Sequence, residues 1–193
     1  MAIPVRVGYM GIPLSNSEHM AEEFSEKHNL MNCILVPLMS AENVVKALVA
    51  REIDYGVLAT LNRFAGTVVE TRVALRDRYD IEKIDSDWTP IHHCVFTKHK
   101  GEKVTLIVSH VQALLQSEKN LKRLYPDAEW MECEDTAYAA EMLAKGQLPK
   151  GSAAVCRKEA GEFYDLCLAD KNVEDNKENM TLFSLVRMKE SDP

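Results

Sequence analysis

The chain lacks several features that would place it in a particular class of protein. Its five cysteines are scattered and include no C-x-x-C pair, so we expect reduced, buried thiols. No charged amino-terminal segment precedes an apolar run, which predicts no signal peptide. No apolar stretch approaches the ~20 residues of a membrane span. We therefore expect a cytoplasmic protein that is not embedded in a membrane.

Positive charge is also scarce, with 23 Lys and Arg against 30 Asp and Glu, giving a net charge of -7. Such a molecule repels phosphate backbones, which argues against nucleic-acid binding unless a local basic patch exists. The densest basic segment, 98–103, contains no aromatic residue and is typical of a solvated loop. Hydrophobic residues make up 46% of the 193 residues, which suffices for the core of one large domain or two small lobes.

Apolar runs with strand character alternate with amphipathic runs along the chain, and the pattern occurs twice. Two successive sets of β-α-β units predict two lobes, each built on a mainly parallel sheet. Ser40 is the expected N-cap of a helix over 41–51, and a single helix is expected over 109–124. The predicted strands are 5–10, 33–39 and 53–59 in the first set, and 104–108, 129–133 and 153–156 in the second.

Two further predicted strands, 90–97 and 180–188, do not fit the alternation and lie where the two sets end. We interpret them as crossover strands that form a hinge, with the second one returning to the first lobe. The prediction is therefore an α/β fold with two mixed, mainly parallel sheets. Lobe one comprises residues 1–97 and 180–193, lobe two comprises 98–179, and together they form one domain.

Short polar side chains follow the predicted strands, where ligands bind in open α/β sheets. N-capping explains each of these positions alone. It does not explain Gln112, one turn beyond Ser109, or the pairing of Asn62 with Gly66. The alternative is that helix N-termini and polar groups from both lobes hold one small anion in a crevice between them. The residues concerned are Ser15, Ser17, Asn62, Ser109, His110 and Thr136.

Several of these junctions, taken in order, resemble a known family. Residues 109–116 read SHVQALLQ, close to the SHPQALAQ of prephenate dehydratases, and 54–68 are similar to DYGVVPIENSxxGxV. The pattern D…N-x-T-R-F is matched by Asp175, Asn179, Thr181 and Phe183. Further matches occur, in the family's order, at 9–17, 91–94, 135–140 and 153–155. The chain thus resembles the prephenate dehydratase family over nearly its whole length.

The resemblance implies a two-lobed fold of the periplasmic-binding-protein type II kind. It also implies an enzyme of phenylalanine biosynthesis that decarboxylates and dehydrates prephenate to phenylpyruvate. Aromatisation drives that reaction, so we expect no cofactor. The partners expected are a small dicarboxylate substrate and, by resemblance, a second copy in a homodimer. The family usually carries an ACT regulatory domain, and because the chain ends ten residues after Phe183, we expect none here.

By resemblance, Thr181 is the catalytic residue that donates a hydrogen bond to the departing hydroxyl. The other site residues are expected to bind substrate. No metal is expected, because His92 and Cys94 share one strand face without a second pair of ligands. The expected substrate-binding residues are Ser15, Ser17, Asn62, Arg63, Ser109, His110, Gln112, Thr136 and Phe183.

The sequence departs from the family pattern at four positions. The arginine of T-R-F is Leu182, the glutamate and serine of E-N-S are Leu61 and Arg63, and a loop glycine is Leu14. Arg63 is the first candidate to replace the missing arginine, and Arg157 is the second. These departures leave two alternatives open: a non-aromatising prephenate decarboxylase or related small-acid lyase, and an inactive protein that binds small anions. The retained Thr181 favours the dehydratase.

Overall fold

The computed structural model describes residues 3–30 and 32–190, and they form two compact units. The first unit runs to Pro90 and resumes at Met180, and the second is Ile91–Asn179. The expected lobe boundary after residue 97 therefore lies after Pro90 instead, because Cys94–Thr97 pairs with strands of the second unit. The expected lobe one also included residues 1–2, 31 and 191–193, which lie outside the described residues.

Strands from distant parts of the chain build the two sheets. The first sheet has the order β2-β1-β3-β11-β5, with β4 paired to β3, and the second has the order β10-β6-β9-β7-β8. The strands are β1 (Arg6–Tyr9), β2 (Ile34–Pro37), β3 (Tyr55–Asn62), β4 (Gly66–Thr67), β5 (Ile81–Pro90), β6 (Cys94–Thr97), β7 (Leu106–Ser109), β8 (Glu129–Glu132), β9 (Ser152–Cys156), β10 (Cys167–Asp170) and β11 (Met180–Met188).

Both sheets are mixed. In the first, β1 pairs in parallel with β2 and β3, while β11 runs antiparallel to β3 and β5. In the second, β7 pairs in parallel with β8 and β9, while β6 runs antiparallel to β9 and β10. The predicted mixed sheets are confirmed. Among the described residues, parallel pairing is confined to β2, β1 and β3 in the first sheet and to β8, β7 and β9 in the second.

Three helices of the first unit are α1 (Asn16–Lys27), α2 (Ala41–Val49) and α3 (Val69–Ala74). Helix α2 begins as predicted, because Ser40 Oγ accepts a hydrogen bond from the Asn43 amide at 3.2 Å. Its buried face packs closely on β3, where a Cβ added to Gly56 would lie only 2.7 Å from Val44 Cγ1. The absence of a side chain at this position lets helix and sheet approach.

Four helices of the second unit are α4 (Val111–Gln116), α5 (Glu118–Leu124), α6 (Thr136–Ala144) and α7 (Lys158–Phe163). The single helix expected over 109–124 is interrupted at the buried Ser117. The Asp175 carboxylate caps the start of α5 by accepting the amides of Lys119 and Asn120, both at 2.9 Å. This distant cap stabilises a new helix start. None of the helices within 3–30 and 32–190 is long and apolar enough to cross a membrane.

Candidate functional site

The predicted site residues of the first unit lie mainly along one edge of its sheet. Strands β1 and β3 are parallel and β11 is antiparallel to β3, so the carboxyl ends of β1 and β3 lie at the edge where β11 begins. Ser15 and Ser17 follow β1, Asn62 and Arg63 end β3, and Thr181 begins β11. The order β2-β1-β3 makes this edge a topological switch point, where α/β sheets bind ligands.

Asn62 joins the end of β3 to the start of β11. Its side-chain nitrogen donates to Thr181 Oγ1 at 3.0 Å and to the Met180 carbonyl at 3.1 Å. Its side-chain oxygen accepts from the amides of Phe64 and Ala65, at 3.0 and 2.9 Å. The side chain is 2% exposed. Because its donors and its acceptor are all engaged, Asn62 holds a fixed orientation toward Thr181.

The Thr181 hydroxyl is arranged to donate a hydrogen bond. Among the described residues, Asn62 is its hydrogen-bond partner, and Thr181 Oγ1 is the acceptor in that bond. A hydroxyl that accepts one hydrogen bond still has its own proton to donate. Thr181 is 8% exposed, and a hydrogen bond in such a setting is stronger than in water. The Thr181 hydroxyl can therefore act as a hydrogen-bond donor in this setting.

The substituted positions Leu61 and Leu182 lie on the opposite face of the sheet from Asn62 and Thr181. Leu182 is paired across the strands with Leu61 on one side and Trp88 on the other. Successive residues of a strand point to opposite faces. Leucines at 61 and 182 therefore leave the polar face of Thr181 unchanged. Sequence reasoning missed that Thr89 of β5, also buried, pairs with Thr181 on that polar face.

The start of α1 is built around a carboxylate. Ser15 is its N-cap, with Oγ accepting from the Glu18 amide at 3.3 Å, and Ser17 lies in the first turn. The Glu18 carboxylate accepts from the Leu14 amide at 2.6 Å and from the Tyr9 hydroxyl at 2.8 Å. It holds Leu14 in the left-handed region, at φ 71°, where the family motif has glycine.

Arg63 and Phe183 differ in their surroundings. Arg63 is exposed, and its backbone amide donates to the Met180 carbonyl at 2.9 Å, so it lies at the edge beside Thr181. Phe183 lies two positions further into β11 and is 2% exposed. The structure therefore brings Arg63 to the site edge, while Phe183 packs inside the first unit.

Ser109 lies at the carboxyl end of β7, where its side chain links two strands. It is fully buried, and its hydroxyl donates to the Val155 carbonyl of β9 at 2.6 Å. The proton of this hydroxyl is therefore engaged within the second unit.

His110 is the N-cap of α4, with Nδ1 accepting from the Gln112 amide at 3.3 Å. Gln112 itself is exposed. His110 also lines a cavity of about 480 Å³, whose walls combine apolar residues such as Met131, Tyr138 and Met142 with Glu132 and Glu134. Sequence reasoning did not identify the three apolar residues, although 138 and 142 are one helical turn apart on α6. The apolar part of these walls suits the ring of a small organic ligand, whereas the two glutamates disfavour a carboxylate of the ligand beside them.

Thr136 was expected to help bind an anion at the start of α6, but the structure places a carboxylate of the protein there. Thr136 is the first helical residue, and the N-cap is Asp135, whose carboxylate accepts from the Ala137 amide at 2.7 Å. A carboxylate already placed at the helix N-terminus repels a second anion. The family motif has serine at position 135. Thr136 can therefore bind a ligand through its hydroxyl, but the helix start is occupied.

Sequence reasoning also missed a buried polar network in the second unit. Glu174 is fully buried and accepts from the His93 amide and His92 Nδ1, both at 3.0 Å. Gln116 Oε1 lies 2.9 Å from His93 Nε2 and 2.8 Å from Asn179 Nδ2. Burial lowers the pKa of His93. The network's signals in the sequence were the adjacent histidines and the motif positions Gln116 and Asn179. Within 3–30 and 32–190, no group of three His, Cys, Asp or Glu side chains could hold a metal ion.

Comparison of the sequence with protein families shows a match to prephenate dehydratase over residues 7–191. Arogenate dehydratase 1 of Petunia hybrida is 29% identical over 184 residues, covering 94% of this chain and 42% of the relative. The bifunctional chorismate mutase/prephenate dehydratase of Stutzerimonas stutzeri is 28% identical over 192 residues, covering 98% and 50%. The chain thus spans half or less of the length of these relatives.

Solved structures show the same fold. Prephenate dehydratase of Arthrobacter aurescens, determined with L-Phe, superposes with a TM-score of 0.82 at 20% identity, covering 98% of this chain and 62% of that one. A periplasmic substrate-binding protein of an ABC transporter from Coxiella burnetii gives 0.54 at 13% identity, covering 95% and 84%. These likenesses confirm the predicted α/β fold of the periplasmic-binding-protein kind. With the family match over residues 7–191, they show that the chain belongs to the prephenate dehydratase family.

Proposed function

We propose that this chain is a prephenate dehydratase-like lyase that converts prephenate to phenylpyruvate. The observation that carries the proposal is the Asn62–Thr181 hydrogen bond of 3.0 Å, in which Thr181 accepts and so keeps its own proton to donate. Membership of the family supports the same reaction. The relatives named as dehydratases support it as well.

The reaction needs little more than positioning and one hydrogen-bond donor. The bond between the ring and its carboxylate breaks, carbon dioxide leaves, and the electron pair of that bond enters the ring. The ring then expels the hydroxyl as its carbon–oxygen bond breaks, and the departing hydroxide takes a proton to become water. In our proposal the Thr181 hydroxyl donates a hydrogen bond to this oxygen as negative charge develops on it.

In the first unit, the groups proposed to bind substrate lie at the edge of the sheet beside Thr181. Arg63 is proposed to pair with a carboxylate, because it is exposed beside the Thr181 edge. Ser17 contributes a hydroxyl at the same edge, and the buried Ser15 is proposed to support the site as the N-cap of α1. In the second unit, His110 borders the cavity lined in part by Met131, Tyr138 and Met142. Gln112 and Thr136 are polar residues that lie close in the sequence to residues lining this cavity. Ser109 and Phe183, whose side chains are buried within their units, are proposed to support the site without touching substrate.

Arogenate is a second candidate substrate. Arogenate dehydratases are among the most similar relatives, including those of Petunia hybrida and Arabidopsis thaliana. Arogenate carries an amino group where prephenate carries a keto group, and the same decarboxylating dehydration yields phenylalanine. The ring chemistry proposed for Thr181 is identical for both substrates, so the choice depends on groups that contact the side chain of the substrate.

Incubation of the purified chain with prephenate and, separately, with arogenate tests the proposal. We expect phenylpyruvate, detected by its ultraviolet absorbance in alkali, or phenylalanine, detected by chromatography. A decarboxylated product that keeps its hydroxyl would indicate the non-aromatising decarboxylase. Thermal stabilisation by prephenate without any product would indicate a binding protein. Either result would overturn the proposed function.

We further propose that the enzyme acts in the cytoplasm as a homodimer, as the resemblance implies. Analytical ultracentrifugation of the purified chain measures the assembly, and a mass of twice 21.8 kDa is expected. Cell fractionation with an antibody against the chain tests the compartment.

A further inference from the structure

Three buried or half-buried polar side chains of the second unit form a chain that ends two residues before Thr181. His93 Nε2 lies 2.9 Å from Gln116 Oε1, and Asn179 Nδ2 donates to the same oxygen at 2.8 Å. His93 and Asn179 are 3% and 2% exposed. Gln116 Oε1 accepts both bonds, so His93 must carry its proton on Nε2.

His93 is rigidly held in this arrangement, and burial favours its neutral form. Burial lowers its pKa, and Nδ1 is buried without a hydrogen-bond partner among the described residues. Its backbone is fixed on both sides, because its amide donates to Glu174 Oε2 at 3.0 Å and its carbonyl accepts from the Val173 amide at 2.8 Å. The ring therefore presents one directed donor, to Gln116.

The network ends on the backbone that leads into β11. The Asn179 carbonyl accepts from the Ile91 amide at 2.8 Å. The next carbonyl, of Met180, accepts from Asn62 Nδ2 at 3.1 Å and from the Arg63 amide at 2.9 Å. The carbonyls of Asn179 and Met180, which immediately precede Thr181, are thus both held by hydrogen bonds.

We propose that His93, Gln116 and Asn179 are positioning residues that fix the backbone orientation from which Thr181 donates its hydrogen bond. This inference rests on the proposed function. Buried polar groups cost free energy when they leave water, and an unpaired Nδ1 adds to that cost. Apolar side chains would fill the same space without this free-energy cost. A directed set of hydrogen bonds gives geometric precision, on which a catalytic donor depends.

Substitution of Gln116 tests the inference through a matched pair of variants. Gln116→Met has a similar size but removes the shared acceptor, whereas Gln116→Glu keeps an oxygen that accepts from both His93 and Asn179. With Gln116→Met we expect kcat to fall at least tenfold, since small misplacements of reacting groups cost rate, and KM to change less than twofold. Gln116→Glu should keep kcat within threefold. Ser152→Ala, which removes a buried hydroxyl outside the network, should leave both constants unchanged.

Amide hydrogen exchange without substrate gives a readout that does not depend on activity. In Gln116→Met we expect faster exchange at Ile91 and Thr181 than in the unsubstituted chain, with exchange in β7 unchanged. If Gln116→Met does not fold, Asn179→Ala serves instead, since it removes the side-chain bond and keeps the Asn179 carbonyl. Unchanged kcat in a folded variant, or unchanged exchange at Ile91 and Thr181, overturns the positioning role. Absence of activity in the unsubstituted chain overturns the proposed function, and the exchange data still decide the network.

Discussion

Asn62 and Thr181 are separated by 119 positions in the chain, yet Asn62 Nδ2 lies 3.0 Å from Thr181 Oγ1. The bond forms because β11 returns to pair with β3, with Thr181 directly opposite Asn62. An amide that donates to the hydroxyl oxygen leaves the hydroxyl proton available. The catalytic proposal depends on this direction of the bond.

Removal of the Thr181 hydroxyl should abolish turnover. We expect Thr181→Ala to lower kcat by a factor of about 100 or more, within the usual contribution of a positioned proton donor. Thr181→Ser, which keeps the hydroxyl, should retain most of the activity. Steady-state kinetics with prephenate checks both variants. Retention of more than a tenth of kcat by a folded Thr181→Ala protein would contradict the assigned role.

Arg63 should contribute to substrate binding rather than to the chemical step. A charge-assisted hydrogen bond contributes about 1.5–3 kcal/mol, so Arg63→Ala should raise KM roughly tenfold to a hundredfold with little change in kcat. Arg76→Ala, which removes another exposed arginine of the first unit, serves as the matched control. An unchanged KM for Arg63→Ala would show that another group binds the carboxylate.

Because the backbone of Leu14 is left-handed, glycine at this position should give a more stable protein than alanine. At most positions alanine gives the more stable protein. A residue other than glycine destabilises the folded state by about 1–2 kcal/mol when its backbone is left-handed. At ordinary backbone angles, glycine instead makes a protein about 0.4–1 kcal/mol less stable than alanine, because the unfolded chain is then more flexible. We expect Leu14→Gly to be more stable than Leu14→Ala by roughly 0.5–1 kcal/mol, measured by urea unfolding. Ala50→Gly, at a φ of -74°, should be destabilising. If the Leu14→Gly protein were less stable than the Leu14→Ala protein, the inferred backbone strain at position 14 would be wrong.

Asp85 should make the first unit sensitive to acid. Lys27 and His28, whose side-chain nitrogens lie 2.9 and 2.8 Å from Asp85 Oδ2, lower the pKa of this carboxyl from 3.8 to about 2. Above about pH 4 the carboxyl is ionised in both states and its stabilisation is complete. As the pH falls from 4 toward 2, the unfolded state takes up the proton first and that stabilisation is lost.

Asp85→Asn should therefore lower the free energy of unfolding at pH 7 by about 1 kcal/mol, allowing for solvent screening. The substituted protein should also lose less stability between pH 4 and pH 2. Thermal unfolding measured at several pH values across that range checks this. Asp127→Asn, which changes an exposed carboxylate, should leave the acid profile unaltered. If stability fell with pH in the same way for Asp85→Asn and the unsubstituted chain, the ion pairs of Asp85 would not be the cause of the acid sensitivity.

Local patterns predicted the elements whose signals lie within a few residues. Ser40 was identified as a helix cap from its position before an apolar helical face, and the strand over 180–188 from its apolar run. Strand β5, Ile81–Pro90, was missed because its sequence is strongly polar. It becomes a strand through its antiparallel pairing with β11 along nearly its whole length. The interruption at Ser117 was missed for a similar reason, since the cap of α5 comes from Asp175.

The sequence by itself determined the α/β class and the order of the motifs, because hydrophobic periodicity and short motifs are local properties. Through the family resemblance it also pointed to Thr181 as the hydrogen-bond donor, which stays a prediction. Only the tertiary structure decided that Leu61 and Leu182 lie opposite the polar face and that Asp135 occupies the start of α6. The tertiary structure also joined His93, Gln116 and Asn179 into one network. These outcomes depend on strand register and on hydrogen bonds between distant segments, which form only when the chain closes its sheets.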